Sequence, residues 1–174
     1  MDGDRSSKGA RVLDMRALSR VTVSGSPPIR PAAAGRAPTR AIIVDTREKD
    51  PFLFKGHRTR KEGLRTGDYS VAGLEATIAV ERKSGADLVN TLLVNCDRFE
   101  RELERAATMA VFSVVVECSM AGLLLTMQGR TSVPLRTVLA RAAVLSSRHR
   151  VPFLFCDNRS MAEAITLEIL RPHL

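Results

Sequence analysis

Aromatic residues are scarce in this sequence, and tryptophan is absent. Phe, Tyr and Trp together make up 4% of the 174 residues, so a nucleic-acid site built on stacked rings is not expected. The longest apolar run, residues 109–116 with Ser113 inside it, is far shorter than the roughly 18 residues that cross a bilayer. We therefore expect no membrane partner and no aromatic stacking platform.

Cysteines are few and widely separated. Cys96, Cys118 and Cys156 form neither the Cys-x-x-Cys spacing of a zinc site nor an even set for disulfides. The N-terminal residues are polar and charged, without the apolar core of a signal peptide. Free thiols and the missing export signal predict a cytoplasmic protein of a microbe or phage, or a nuclear protein in a eukaryote.

Basic residues outnumber acidic residues by 27 to 19, which gives a formal charge of +8 and an isoelectric point near 10.2. Residues 1–40 hold 8 basic and 3 acidic residues, so five of the eight excess charges belong to them. A polyanionic partner such as DNA fits this balance. A solvated, arginine-rich chain fits it equally well, because most of the excess lies outside the predicted domain.

Composition divides the chain at about residue 40. Residues 1–40 contain Pro, Gly and Ala clusters with scattered arginines, and they predict a disordered or weakly ordered basic extension. Residues 41–174 alternate short apolar runs with amphipathic segments in the order β, β, β, α, α, β, α, α, β, α. This order predicts an α/β domain with a mixed sheet and helices on both faces.

Apolar runs and capping residues locate the individual elements. A polar loop is expected from Asp45 to about Thr66, and Asp97 is expected to cap the second helix. The predicted strands cover residues 41–44, 69–71, 76–82, 111–117 and 151–156. The predicted helices cover residues 84–93, 97–110, 120–127, 133–147 and 161–170.

The second and third predicted strands form a hairpin that brings charged residues together. A turn centred at residues 74–75 places Asp68 opposite Glu81, and opposed residues share a face of the sheet. Because strand side chains alternate, Glu81 and Lys83 project from one face and Arg82 projects from the other. We therefore expect Asp68, Glu81 and Lys83 to converge.

Two converging carboxylates repel each other unless a cation lies between them. Carboxylate oxygens suit Mg²⁺ or Mn²⁺, and Lys83 would then orient a water molecule, promote its deprotonation or neutralise phosphate charge. This combination is typical of metal-dependent phosphodiester hydrolysis. The alternative is an exposed strand with mixed charges, since the Glu-x-Lys spacing is common by chance.

Another group of charged residues follows the first predicted strand. Asp45 stands where this buried strand ends, and the carboxyl edge of a sheet is a usual place for ligand-binding groups. Arg47 and Glu48 follow within one turn. They predict further metal coordination and a phosphate contact from Arg47, while a turn or helix cap is the alternative.

Three motifs stand in fixed order along the chain: VDTRE at residues 44–48, GD at residues 67–68 and ERKSGAD at residues 81–87. Together they resemble the signature of the nuclease domain of XPF-family structure-specific endonucleases. Residues 98–103 are similar to a helical segment that follows the signature in that family. The resemblance covers about residues 41–160. It implies a restriction-endonuclease-like fold and cleavage of DNA near branches or flaps.

The resemblance also implies roles for the motif residues. Asp68 and Glu81 would bind the metal together with the carbonyl of Arg82, and Lys83 would activate water. Asp87 would orient Lys83 or Arg82, although an acidic residue also suits the first turn of a helix.

The residues of the first motif have implied roles as well. Asp45 and Glu48 would bind or position a metal, and Arg47 would contact the scissile phosphate or hold the carboxylates. The predicted catalytic residues are Asp45, Arg47, Glu48, Asp68, Glu81, Arg82, Lys83 and Asp87. The predicted metal ligands are Asp45, Glu48, Asp68 and Glu81.

A basic segment precedes the hairpin. Beside a phosphodiesterase site, it would clamp the DNA backbone irrespective of base identity, while a flexible solvated loop is the alternative. The predicted DNA-binding residues are Lys55, His57, Arg58, Arg60, Lys61 and Arg65.

We therefore predict a Mg²⁺- or Mn²⁺-dependent endonuclease that cleaves branched, flapped or nicked DNA in repair or recombination. A Holliday-junction resolvase, a restriction-type nuclease of the same fold and a non-catalytic DNA-binding subunit are the alternatives. The resemblance implies helix-hairpin-helix contacts to DNA, which a partner chain would supply unless the protein is a compact microbial or phage type or the sequence is a fragment. A homodimer is expected if the apolar residues of the last two helices are exposed, although they could equally be core. These residues are Val138, Leu145, Ile165 and Leu170.

Overall fold

Short apolar runs form the centre of a six-stranded mixed sheet. A computed structural model describes residues 40–174 of the chain, and the strands lie in the order β2-β1-β3-β4-β5-β6. The strands are β1 (Ile42–Asp45), β2 (Thr59–Glu62), β3 (Tyr69–Val71), β4 (Ile78–Lys83), β5 (Val111–Val116) and β6 (Phe153–Phe155). The predicted α/β class with a mixed sheet is confirmed.

The direction of the strands brings several of their ends to one edge of the sheet. Strand β3 pairs antiparallel with both β1 and β4, whereas β5 pairs parallel with β4 and β6. The carboxyl ends of β1, β4 and β5 therefore lie at the same edge as the beginning of β3. This edge carries Asp45, Asp68, Lys83 and Glu117.

Helices cover both faces of the sheet, as predicted. Four of them pack with Ala79, Val114 and Val116 on one face, and the fifth packs with Val80 and Val115 on the other. The four are α1 (Gly85–Leu93), α2 (Cys96–Ala106), α3 (Met120–Met127) and α4 (Leu135–His149). The fifth is α5 (Arg159–Leu170), which a 3-10 turn at Arg171–His173 follows.

The sequence analysis missed β2. Its residues, Thr-Arg-Lys-Glu, are polar and largely exposed, because β2 is the edge strand and pairs only with β1. Such a strand carries no apolar alternation, so it was predicted as part of a loop. Arg60 and Lys61 consequently lie on a strand, and the remaining predicted DNA-binding residues lie on the segments beside it.

The predicted start of the second helix was also wrong. Helix α2 begins at Cys96, and Asn95 rather than Asp97 occupies the capping position. Asn95 makes no side-chain capping hydrogen bond, which leaves Asp97 inside the first turn as a favourable acidic residue. Helix α2 ends at Ala106, before the predicted Ala110, and a turn leads into β5.

The four apolar residues of the last two helices, for which an exposed face and a core position were both open, belong to the core. Val138, Leu145 and Leu170 are buried, and Ile165 packs against the core. The predicted extension, residues 1–40, lies outside the described residues except for Arg40. Within the described part of the chain, no helix is both long and apolar enough to cross a membrane.

The hairpin has the predicted register. Tyr69 pairs with Val80, and the same register sets Asp68 opposite Glu81. Gly67 lets the chain enter β3 at this point, because its φ of +79° lies in the left-handed region that residues with a Cβ rarely adopt. A Cβ at this position would also lie 2.9 Å from the Ala79 Cβ and 3.2 Å from the Val80 carbonyl oxygen.

We expect Gly67→Ala to lower the free energy of unfolding by about 2–5 kcal/mol, since the left-handed φ costs ~1–2 kcal/mol and crowding adds ~1–3 kcal/mol. Gly73→Ala is the matched control: its φ is +81°, but no atom lies within 4 Å of the added Cβ. The control should lose only the ~1–2 kcal/mol due to φ. Chemical denaturation measures both variants, and equal losses would contradict crowding at Gly67.

Candidate active site

The end of β4 and the beginning of β3 bring three charged side chains into one pocket. Glu81 is 6% exposed, and its Oε1 lies 2.5 Å from the Lys83 Nζ. Asp68 directly precedes the neighbouring strand β3, and its main-chain N–H donates to the Val80 carbonyl at 2.9 Å. The pocket has a volume of about 340 Å³ and is open to solvent, and Asp68, Glu81 and Lys83 all line it. The predicted convergence of these three residues is confirmed.

Burial makes the two carboxylates of the pocket hard to ionise together. Burial raises the pKa of Asp68 above its usual range. Burial raises the pKa of Glu81 as well, and the charge of Asp68 raises it further. Burial alone would lower the pKa of Lys83, but the charge of Glu81, its hydrogen bond with Lys83 and the charges of Glu102 and Asp68 together outweigh burial and raise that pKa. One ammonium group thus faces two carboxylates, which leaves one negative charge in excess when all three are ionised.

This donor set fits a divalent metal ion. Two carboxylates with an excess negative charge offer the hard oxygen ligands that Mg²⁺ and Mn²⁺ prefer, and the open pocket leaves room for waters and a phosphate. Among residues 40–174, however, no group of three or more Asp, Glu, His or Cys side chains lies close enough to hold a metal. The four predicted metal ligands therefore do not meet at one point.

Asp45, the last residue of β1, is fully buried. Its Oδ1 accepts hydrogen bonds from the Arg47 main-chain N–H at 2.8 Å and from Nε at 2.7 Å. Its Oδ2 accepts from the Leu64 N–H at 2.6 Å and from Arg47 Nη2 at 3.2 Å. Burial opposes the charge of Asp45, but the hydrogen bonds from Arg47 and Leu64 lower its pKa overall. Asp45 thus holds Arg47, whose side chain lines the pocket.

Arg82 connects the two faces of the sheet. Its main-chain N–H donates to the Asp68 Oδ2 at 2.8 Å, on the pocket side. Its guanidinium projects from the opposite face, where Nη1 donates to the Glu48 Oε2 at 2.8 Å. There Nε and Nη2 also donate to the two carboxylate oxygens of Glu117, at 2.8 and 3.1 Å. Glu48 is therefore engaged by Arg82, and its predicted metal role stays a prediction.

A second arginine completes this charged cluster. Arg159 of α5 donates to Glu117 Oε1 at 3.2 Å and to the Asp50 carbonyl at 2.7 Å. The Arg82 and Arg159 guanidinium carbons each lie 5.2 Å from the centre of the Phe52 ring. The sequence analysis missed Glu117 and Arg159. A signal for Glu117 existed, because it follows a buried strand directly, as Asp45 does.

Asp87 makes the contacts of a helix cap. Ser84 Oγ accepts from the Asp87 main-chain N–H at 3.1 Å and donates to the Asp87 Oδ2 at 2.5 Å. These contacts agree with a favourable acidic residue in the first turn of α1. Asp87 also lines the pocket, so its predicted role toward Lys83 or Arg82 stays a prediction.

Helix α2 supplies a wall of the pocket that the sequence analysis did not identify. Arg98, Phe99 and Glu102 line it, and the Lys83 Nζ lies 4.8 Å from the centre of the Phe99 ring. The negative charge of Glu102 also contributes to the raised pKa of Lys83. The spacing of residues 98 and 102 by one helical turn would have placed both on one side of the helix.

The predicted DNA-binding residues are exposed. They lie around the edge strand β2 and on the segments before and after it. Their side chains make few contacts with the rest of the described chain, although Arg60 forms a salt bridge with Glu62. These residues are Lys55, His57, Arg58, Arg60, Lys61 and Arg65. Their role in binding DNA stays a prediction.

Residues 44–168 match the ERCC4 domain. The structure resembles XPF from Aeropyrum pernix at 20% sequence identity with a TM-score of 0.60, covering 75% of this chain and 63% of that chain. The same protein in complex with DNA gives 20% identity and a TM-score of 0.60, covering 76% of this chain and 64% of that chain. This likeness confirms the restriction-endonuclease-like fold. The chain spans less than two thirds of those structures, and no curated protein matches it.

Asp68→Asn should stabilise the metal-free protein at neutral pH. The raised pKa values of Asp68 and Glu81 mean that the folded state binds protons more tightly than the unfolded state. The tighter proton binding of Asp68 and Glu81 stabilises the folded state fully at pH values below the ordinary carboxyl pKa. This stabilisation is lost as the pH rises through the raised pKa values of the two groups. We expect the variant to melt about 3–5 °C above the wild type at pH 8 in EDTA, which corresponds to ~1 kcal/mol.

The difference in melting temperature between Asp68→Asn and the wild type should shrink at pH 5, because Asp68 and Glu81 are largely protonated there in the folded wild type. Thermal melts at both pH values measure it. The asparagine amide oxygen keeps an acceptor for the Arg82 main-chain N–H, so the hairpin stays intact in the variant. A variant that melts below the wild type at both pH values would contradict the proposed repulsion.

Glu117→Gln should destabilise the cluster around Arg82. Because Arg82 and Glu117 are 15% and 11% exposed, removing the charge of Glu117 should cost about 1–3 kcal/mol of unfolding free energy. Glu168→Gln is the matched control, since Glu168 pairs with Arg171 where both side chains are more than half exposed. The control should lose less than ~0.5 kcal/mol. Urea denaturation compares them, and similar losses would show that the cluster contributes no more than a surface pair.

Proposed function

The chain belongs to the ERCC4 domain family, and from this membership we propose that it is a metal-dependent DNA endonuclease acting on branched, flapped or nicked duplexes in repair or recombination. The observation that carries the proposal is the pocket in which Asp68, Glu81 and Lys83 meet on one face of the sheet. Two partly shielded carboxylates with an excess negative charge favour a divalent cation, and such a pocket suits phosphodiester hydrolysis.

Asp68 and Glu81 would hold the ion, which is Mg²⁺ or Mn²⁺ in this proposal. Bound there, it would supply a Lewis acid that activates water and offsets the charge of the phosphate. The Arg82 main-chain N–H donates to Asp68 and fixes one carboxylate oxygen, so the other oxygen is available as a ligand. The Lys83 ammonium donates a hydrogen bond to the Glu81 Oε1 and so fixes one oxygen of that carboxylate.

Lys83 acts as an ammonium group in this proposal. Its raised pKa keeps it protonated at neutral pH. A lysine in this state orients a water molecule by hydrogen bonding and neutralises charge that develops on the phosphate. Its position over the Phe99 ring limits its movement and keeps the Nζ in the pocket.

Arg47 would contact the phosphate that is cleaved. Its Nε and Nη2 donate to Asp45, and Nη2 also donates to the Leu64 carbonyl. These contacts fix the guanidinium plane while the side chain remains 68% exposed. Held in this way, Arg47 keeps donors for a phosphate oxygen.

The exposed basic residues around β2 would bind the DNA backbone next to the pocket. Lys61 and Arg65 lie toward and beyond the carboxyl end of β2, at the edge of the sheet that carries Asp45, and Arg58 and Arg60 lie toward its beginning. Contacts to phosphates carry no base specificity. A site that recognises the shape of the DNA, and not its base sequence, needs such contacts. A partner chain with helix-hairpin-helix contacts, or a second copy of this chain, would complete the grip on the branch.

The decisive experiment compares cleavage of a 3′ flap, a four-way junction and a plain duplex in Mg²⁺ and in Mn²⁺. We expect the wild type to cut the flap, and Asp68→Asn and Lys83→Met to cut it at least ~100-fold more slowly. Glu168→Gln, on an exposed pair of α5, should match the wild type. EDTA should abolish cleavage.

Each other outcome has its own interpretation. Preference for the four-way junction would indicate a resolvase, and binding of DNA without cleavage would indicate a non-catalytic subunit. Equal cleavage by wild type and Asp68→Asn would refute the site. Thermal melts with added Mn²⁺ distinguish a loss of metal binding from a loss of folding. A Mn²⁺ concentration of 100 times Kd should stabilise the wild type by about 2.7 kcal/mol. The same concentration should leave the stability of a folded Asp68→Asn variant unchanged.

A further inference from the structure

A second cavity lies beside the active-site pocket. Its volume is about 460 Å³, and it is open to solvent. Helix α2 and the segment before β3 contribute residues to both spaces, and the turn between β3 and β4 closes the far end of the second one. The polar residues that line this cavity are Arg65, Thr66, Glu75, Arg105 and Thr108.

The two spaces are separated by a short distance along α2. Arg98 lines the active-site pocket and Arg105 lines the second cavity. Seven residues of helix separate these arginines, which corresponds to a rise of about 10 Å. A separation of this size can be spanned by a few nucleotides of one DNA strand, whose charges are spaced by about 3.4 Å along the helix axis.

The charges of the cavity suit a single anion. Arg65 and Arg105 come from different segments, both are exposed, and neither forms a salt bridge with a described residue. Arg105 donates from Nη1 to the Arg101 carbonyl at 3.0 Å, which leaves the other N–H groups of its guanidinium for a ligand. Glu75 opposes the arginines, but its Oε1 accepts from the Gly73 N–H at 2.9 Å in its own turn.

We propose that this cavity binds a phosphodiester of the DNA strand a few nucleotides from the one in the active-site pocket. Arg65 and Arg105 would hold the phosphate from two sides, and Thr66 and Thr108 would supply hydroxyl groups. The proposal rests on the proposed nuclease function and adds Arg105 to it, a residue outside the predicted DNA-binding set. A strand held in both spaces would run along α2.

A simpler role for Arg105 makes a different prediction. A basic residue in the last turn of a helix interacts favourably with the helix dipole, and Arg105 stands in the last turn of α2. In that case Arg105→Ala would lower the melting temperature and leave DNA binding unchanged. Arg65 is not on a helix, so the dipole gives no reason for Arg65→Ala to have the same effect.

The test measures binding of a fluorescein-labelled flap DNA by anisotropy in EDTA, between 50 and 200 mM salt. We expect Arg65→Ala and Arg105→Ala each to weaken binding about three- to tenfold, as for a solvent-screened charge contact. The double variant should lower the salt slope by about 0.9, the value for one phosphate, because both arginines hold the same group. Glu75→Gln should strengthen binding, since it removes the opposing charge.

Arg136→Ala is the matched control, because Arg136 is an exposed arginine on α4 and lines neither space. Affinity of Arg65→Ala and Arg105→Ala equal to that of the control, in variants with normal melting curves, would overturn the cavity as a subsite. If the wild type still cleaves the flap in that case, the proposed function stands alone. If the wild type neither binds nor cleaves DNA, the proposed function fails and this subsite fails with it.

Discussion

Asp68 and Glu81 are held close together although their negative charges repel each other. The backbone of the hairpin imposes this arrangement, because the pairing of Tyr69 with Val80 sets the two acids opposite each other. Gly67 allows the sharp entry into β3 that the pairing needs. Burial raises the pKa of both acids, and the charge of Asp68 raises the pKa of Glu81 further. The fold thus tolerates a locally unfavourable group of charges, which is common where a site serves binding in place of stability.

Alternation along β4 separates two charged environments that have different tasks. Glu81 and Lys83 project into the open pocket, while the Arg82 guanidinium between them projects to the other face. On that face Glu48, Glu117 and the arginines satisfy one another almost completely. Because the Arg82 main chain also donates to Asp68, the rigid cluster on one face fixes a carboxylate on the other. Movement of Arg82 would therefore disturb both environments.

The sequence predicted the parts of this arrangement that depend on strand periodicity and on the length of one turn. The opposition of Asp68 and Glu81 needed only a turn centred at residues 74–75, and the structure has that turn. Strand β2 was missed because an exposed edge strand needs no apolar residues. The partnership of Arg82 with Glu117 and Arg159 was missed because tertiary packing, not local spacing, brings these residues together.

The distribution of arginines explains which acids remain for a cation. Asp45 is paired with Arg47, and Glu48 is paired with Arg82, so both of these motif acids are neutralised within the protein. Asp68 and Glu81 share a single lysine, and Glu102 adds a further negative charge from α2. A divalent ion would remove the repulsion that remains. The motif acids that appear equivalent in the sequence thus divide into two that are each paired with an arginine and two that share one lysine.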